Sequence, residues 1–237
     1  MLFILFNPFL AAPAAEFSPQ ACKVKDPEGL TYIALGKAVL RLPITQLAMT
    51  HALAFDSEPL PPRDPDEPQG CPNNPLQQQS LILNFGFDNW LKDRKRPSTL
   101  LLEEIRLIAS PTDYWGIRYE DMHSAQCKVF SRRKHLSNGL VGCLPPKTAE
   151  NSDSEDAGSY TVSKEIYHAP FDKVFAISCL PSVPKGTRCN VSYKILPSVN
   201  LVYTFLTATI KLEDAIDLDR QIRDSVWHAV VPNYKWN

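Results

Sequence analysis

Five histidines, six cysteines and two acidic runs are the side chains of this sequence with the types to do chemistry. His51, His123, His135, His168 and His228 are scattered. None belongs to an HExxH or H-x-E metal motif, and no serine sits in a G-x-S-x-G elbow. No Walker loop and no GxGxxG is present, so nothing cradles a nucleotide phosphate. Cys22, Cys71, Cys127, Cys143, Cys179 and Cys189 form no C-x-x-C pair, and no histidine stands at finger-like spacing from two of them. The expectation is a chain without catalytic residues, cofactor or metal.

The cysteines read instead as a disulfide framework, since an even count behind an apolar start fits an oxidising compartment. Cys179 and Cys189 lie on two strand-like runs, VFAISC and CNVSYKIL, around a Pro- and Gly-containing gap, which places them side by side in a hairpin. A bridge closing so short a loop adds about 2–3 kcal/mol. Cys127 and Cys143 flank a segment whose turn signal is Ser137-Asn138-Gly139. Cys22 and Cys71 are left for each other by elimination. The alternative, six reduced core cysteines, stays open. Residues 1–15, MLFILFNPFLAAPAA, have the apolar run and the small-residue Ala12-Pro13-Ala14 site of a secretory signal, without a basic n-region. The run is too short to span a bilayer. The division is therefore a signal-like segment, 1–15, and one domain, 16–237, periplasmic or otherwise exported.

Charge is balanced at -1, which gives no global field for nucleic acid. It is nevertheless clustered. The Pro-rich segment 56–75 carries Asp56, Glu58, Asp64, Asp66 and Glu67 against Arg63, and has Cys71 near its end. A long, stiff acidic loop suits a basic protein partner, and those five carboxylates are the candidate partner-facing residues. The second acidic run, 150–156, reads as a solvated loop. Two basic clusters, Lys92, Arg94, Lys95, Arg96 and Lys128, Arg132, Arg133, Lys134, lack the aromatic interleaving of a nucleic-acid surface. Asn190-Val191-Ser192 fits a glycosylation triplet but lies on an expected strand.

Strands dominate the elements that must hold these groups. Leu40, Leu42 and Ile44 alternate with Arg41, Pro43 and Thr45; Leu81, Leu83 and Phe85 share one face of 76–87. Residues 98–110, bracketed by Pro97 and Pro111, read as a strand, and the aromatic-rich stretch 112–121 as another. From 160 onward, 161–170, 173–179, 189–197 and 199–210 read as successive antiparallel strands. The single expected helix is 211–230, with Leu212, Ala215, Ile216, Ile222, Val226 and Ala229 at helical spacing, acidic Glu213 and Asp214 at its start, and Pro232 beyond its end. The fold class is α+β, mostly antiparallel strands with a C-terminal amphipathic helix, stapled by disulfides.

Two segments carry a family resemblance. The first is AVLRLPITQL, followed after the acidic loop by Gly70-Cys71-Pro72-Asn73-Asn74-Pro75-Leu76. The second is Cys189-Asn190-Val191-Ser192-Tyr193, then VNLVYTF, then Asp217-Leu218-Asp219-Arg220-Gln221-Ile222-Arg223. Together they resemble periplasmic immunity proteins of bacterial type VI secretion that neutralise lipase or phospholipase effectors. The resemblance implies an exported, non-catalytic protein whose partner is a cognate toxin. A secreted hydrolase and an envelope-associated structural protein are the other readings.

Overall fold

A computed structural model describes residues 21–43, 47–51, 60–83, 102–109, 119–147, 155–181 and 186–236. In chain order the strands are β1 (Thr31–Leu35), β2 (Ala38–Leu42), β3 (Leu47–His51), β4 (Leu76–Gln78), β5 (Ser80–Leu83), β6 (Leu102–Ala109), β7 (Arg132–His135), β8 (Val141–Leu144), β9 (Gly158–Thr161), β10 (His168–Ala169), β11 (Lys173–Val174), β12 (Ala176–Pro181), β13 (Thr187–Leu196) and β14 (Val199–Leu206). An internal helix spans Tyr119–Val129, and a C-terminal helix, Ala215–Ala229, is entered through a 3-10 turn at Leu212–Asp214.

Nine strands form one sheet in the order β3-β5-β6-β14-β13-β12-β9-β8-β7, with every neighbouring pair antiparallel. The register sorts its side chains by face, because successive residues of a strand point to opposite sides. One row crosses the sheet as Leu83, Ile105, Tyr203, Val191, Ile177 and Tyr160, each at most 5% exposed. The C-terminal helix contributes Ile216, Leu218, Ile222 and Val226 to the same core. A second row, Thr204, Asn190, Ser178, Ser159 and Cys143, lies on the opposite face and is polar. The internal helix packs there, against β8, β9 and β12.

A smaller sheet, β2-β1-β4, pairs β1 antiparallel to β2 and parallel to β4. Gly36, at φ 55°, supplies the left-handed conformation that the two-residue β1–β2 turn requires. Ile33, Leu35, Leu40 and Leu42 join the main core. The segment after the C-terminal helix closes over this sheet: Val230 bridges Leu40, and the Val231 N–H donates to Val39 O at 2.8 Å.

All three expected bridges are formed: Cys22–Cys71, Cys127–Cys143 and Cys179–Cys189. The last sits in the β12–β13 ladder, where Cys179 faces Cys189. The α+β, antiparallel, disulfide-stapled class is thus the observed one. Some elements differ from expectation. Tyr119 to Asp121, expected to end a strand, begin the internal helix, whose sequence YEDMHSAQCKV has no buried residue and so no apolar stripe to announce it. The expected strand 161–170 is interrupted, because Ser163 O accepts the N–H groups of both Ile166 and Tyr167 and turns the chain. The signal-like segment 1–15 and the basic cluster at 92–96 lie outside the described residues.

Candidate functional site

Of the five acidic candidates, Asp56 and Glu58 lie outside the described residues. The other three are built into a corner of the fold. Glu67 is only 2% exposed. Its Oε1 accepts the Val24 N–H at 2.9 Å, and Oε2 is buried without a hydrogen-bond partner among the described residues. Asp64 accepts from Lys23 Nζ at 2.7 Å and, through Oδ1, from the Asp66 N–H at 3.0 Å. The Lys23 ammonium pulls the Asp64 carboxyl below the usual carboxylate range. Asp66 remains exposed. The segment is pinned as well by Cys22–Cys71, by the Asn74 side chain donating to Glu67 O at 2.5 Å, and by Arg63 lying 4.2 Å over the Tyr234 ring. Beside it, burial works against ionisation of Asp26, but the Tyr32 hydroxyl and the Leu30 and Glu28 N–H groups outweigh it and hold that carboxyl low. Tyr32 in turn is pushed up to about 12 by burial and by Asp26.

The second basic cluster is directed at the chain's own backbone and carboxylates. Arg132 donates to Pro145 O at 2.7 Å, Arg133 to Cys127 O at 2.7 Å and to Phe130 O, and Lys134 pairs with Asp156 at 2.6 Å. Lys128 is exposed. Asn190, the glycosylation candidate, lies mid-ladder and accepts from Thr204 Oγ1 at 2.9 Å.

A denser cluster lies under the C-terminal helix. Asp219 is fully buried, with Oδ1 accepting from the hydroxyls of Tyr193 (2.7 Å) and Tyr203 (2.8 Å) and Oδ2 from Tyr167 (2.5 Å). Arg223, one turn on, stands 3.9 Å from Oδ2 and donates to the Tyr167 hydroxyl (2.9 Å) and His168 O (3.0 Å). Burial lifts the Asp219 carboxyl above its ordinary range, against the pull of the three hydroxyls and Arg223. Phe175 meets both Tyr167 and Tyr193 edge to face. Towards solvent, the Arg223 guanidinium lies 4.8 Å from the Trp227 ring and Arg220 lies 5.1 Å from that of Tyr167. Trp227 is 42% exposed. Helical spacing puts Asp219 on the buried stripe with Ala215, Ile216 and Ile222, so a carboxylate at an inward position was the available signal for this cluster.

The third cluster surrounds His123. Its Nδ1 is 3.2 Å from Ser159 Oγ; its Nε2 is 3.0 Å from Thr161 Oγ1 and 3.2 Å from Cys127 Sγ. Burial, with Arg133 adding to it, lowers the His123 pKa against the pull of a hydrogen bond with Ser159. A His–Ser contact suggests a nucleophile and base, but Ser159 is 0% exposed, so no substrate reaches Oγ in this arrangement. His135, His168 and His228 are exposed, and the last two meet backbone oxygens through Nδ1, those of Ala169 (2.9 Å) and Asp224 (2.6 Å).

Among the described residues no helix is long and apolar enough to cross a membrane. No protein-family model, no curated protein and no solved structure matches the chain.

Proposed function

We propose that the chain is an exported immunity protein that binds and inhibits a cognate phospholipase or lipase toxin in the periplasm, without catalysis of its own. Three disulfides that use all six cysteines suit an oxidising compartment. The two resembling segments fall on coherent parts of the fold. Gly70–Leu76 forms the Cys71 corner, where Gly70 O accepts the Tyr32 N–H at 2.8 Å. The other forms β13, β14 and the C-terminal helix, and contains Tyr193, Tyr203, Asp219 and Arg223.

The observation that carries the reading is the outward side of that helix. Trp227 and Arg220 are the residue types that anchor protein interfaces, and they stand exposed on a helix clamped from beneath by Asp219, with the largely buried Arg223 backing the Trp227 ring. A clamped helix loses little conformational entropy on docking. Asp66, with Asp64 tied to Lys23, supplies a stiff acidic rim for a positively charged toxin face; Asp56 and Glu58 belong to the same proposed surface, while the Glu67 side chain points inward. The test is titration calorimetry against the toxin encoded beside this chain. Trp227→Ala should weaken binding at least tenfold with an unchanged thermal midpoint, and Asp66→Ala should reduce the salt dependence. Ester hydrolysis by the purified chain, or unaltered affinity in both variants, would overturn the reading.

A further inference from the structure

His123, Cys127 and Cys143 come from a helix and a strand, and their ligand atoms all lie within 4.8 Å of one another. His123 and Cys127 are one helical turn apart and therefore share a face of the internal helix. Cys143 rises from β8 to meet them. We infer that reduction of the Cys127–Cys143 bridge converts this cluster into a binding site for a thiophilic divalent ion such as Zn²⁺.

The imidazole is already arranged as a ligand. Its Nδ1 meets Ser159 Oγ at 3.2 Å, and its Nε2 lies 3.2 Å from Cys127 Sγ and 3.0 Å from Thr161 Oγ1, the contact an ion would displace. A hydrogen bond at the far nitrogen is what fixes tautomer and ring orientation in metal-bound histidines.

The bridge is also the one best placed to open. Cys143 is 1% exposed but Cys127 is only half-buried, whereas both halves of the other bridges are covered: Cys22, Cys71, Cys179 and Cys189 are 6%, 0%, 1% and 0% exposed. A phosphine reductant breaks the S–S bond by supplying two electrons. The phosphine leaves as its oxide, with water furnishing the oxygen and the two thiol protons. Ion binding then releases both protons to solvent and forms two metal–sulfur bonds and one metal–nitrogen bond. Tetrahedral bonds of about 2.3 Å to sulfur and about 2.0 Å to nitrogen set the sulfurs about 3.8 Å apart. The internal helix has no buried residue to resist a shift of that order. While the bridge is closed the sulfurs cannot ligate, so the site answers to redox state.

The experiment uses the whole oxidised chain and the same chain treated with tris(carboxyethyl)phosphine, each titrated with Co²⁺ and with Zn²⁺ against a chromophoric chelator. The reduced chain should take up one ion and develop the thiolate-to-cobalt charge-transfer band; the oxidised chain should show neither. His123→Ala should weaken binding at least tenfold. Ser159→Ala keeps all three ligands and should weaken it about tenfold through the lost imidazole contact. A reduced chain with no cobalt–thiolate band, or one whose affinity is indifferent to His123→Ala, would overturn the inference. Collapse of the far-ultraviolet β-sheet signal on reduction would overturn it equally, because no preformed site would then exist.

Discussion

Replacing Asp219 tests how much of the stability passes through one buried carboxylate. In Asp219→Ala, three tyrosine hydroxyls lose their acceptor, that of Tyr203 on a fully buried ring, and Arg223 loses its counter-charge. An unsatisfied buried donor costs about 1–3 kcal/mol, and breaking a buried ion pair typically costs about 3–5 kcal/mol. Tyr167 keeps its bond from Arg223, and some repacking follows, so the expected loss is about 4 kcal/mol. For a domain of this size that is roughly 8–16 °C in Tm. Asp219→Asn should cost only about 2 kcal/mol, because its oxygen still accepts from Tyr193 and Tyr203, which share Oδ1. The pH dependence has a definite sign. Burial raises the Asp219 pKa above its ordinary 3.8, so the folded chain holds this proton more tightly than the unfolded chain. Its contribution to stability is therefore fullest below pH 3.8 and declines as pH rises through the folded pKa. The Asp–Asn difference should narrow accordingly. Urea melts of oxidised wild type and both variants across that range decide the matter. A loss below about 1 kcal/mol for Asp219→Ala, or equal losses for Ala and Asn, would refute the idea that the oxygens are what the tyrosines need.

Removing the bridges singly by Cys→Ser pairs should destabilise in order of loop length: about 4 kcal/mol for Cys22–Cys71 (separation 49), about 3 for Cys127–Cys143 (16) and a little less for Cys179–Cys189 (10), read by urea melts. Hydrogen exchange in the middle variant should rise across Tyr119–Val129 before it rises in the sheet. Gly158→Ala should cost about 3 kcal/mol, since a Cβ there lies 2.6 Å from Cys143 O and φ is 153°; a melt within 1 kcal/mol of wild type would contradict this. His123 has a lowered pKa, so the unfolded chain binds its proton more readily. Stability should fall as pH drops below 6.5, by at most about 1.4 kcal/mol per pH unit from this group, and His123→Gln should flatten that slope.

The strands and the C-terminal helix were readable because burial writes a period into them. Tyr203 and Tyr193 sit at inward positions of β14 and β13, in phase with Leu201, Phe205, Val191 and Ile195. The internal helix wrote no period, since its contacts to the sheet include a disulfide, the His123 hydrogen bonds, the Arg133 bond to Cys127 O and a weak Ser178–Met122 contact, all of them tertiary. The hairpin bridge Cys179–Cys189 followed from local spacing, whereas the Cys22–Cys71 pairing was reached only by exhausting the others. The acidic loop was legible as stiff and pinned. Nothing in its composition says that Glu67 turns inward to Val24, because that depends on a residue 43 positions earlier. The His123 cluster was hidden for the same reason, as its members meet only when helix, β8 and β9 are assembled.

The closure over the small sheet has a consequence for the timing of assembly. Trp236 donates to Lys37 O across 199 residues, Tyr234 to Pro72 O across 162, and Arg63 to Lys235 O across 172. The strands β1 and β2 leave a ribosome long before the residues that cover their edge. Until those arrive, the β2 edge, with Val39 O unpaired, waits as an open template. Contacts so distant in sequence slow the final step of folding. A nascent chain therefore exposes this open edge until the segment after the C-terminal helix has been made, and a chaperone that shields β1 and β2 would act during that interval.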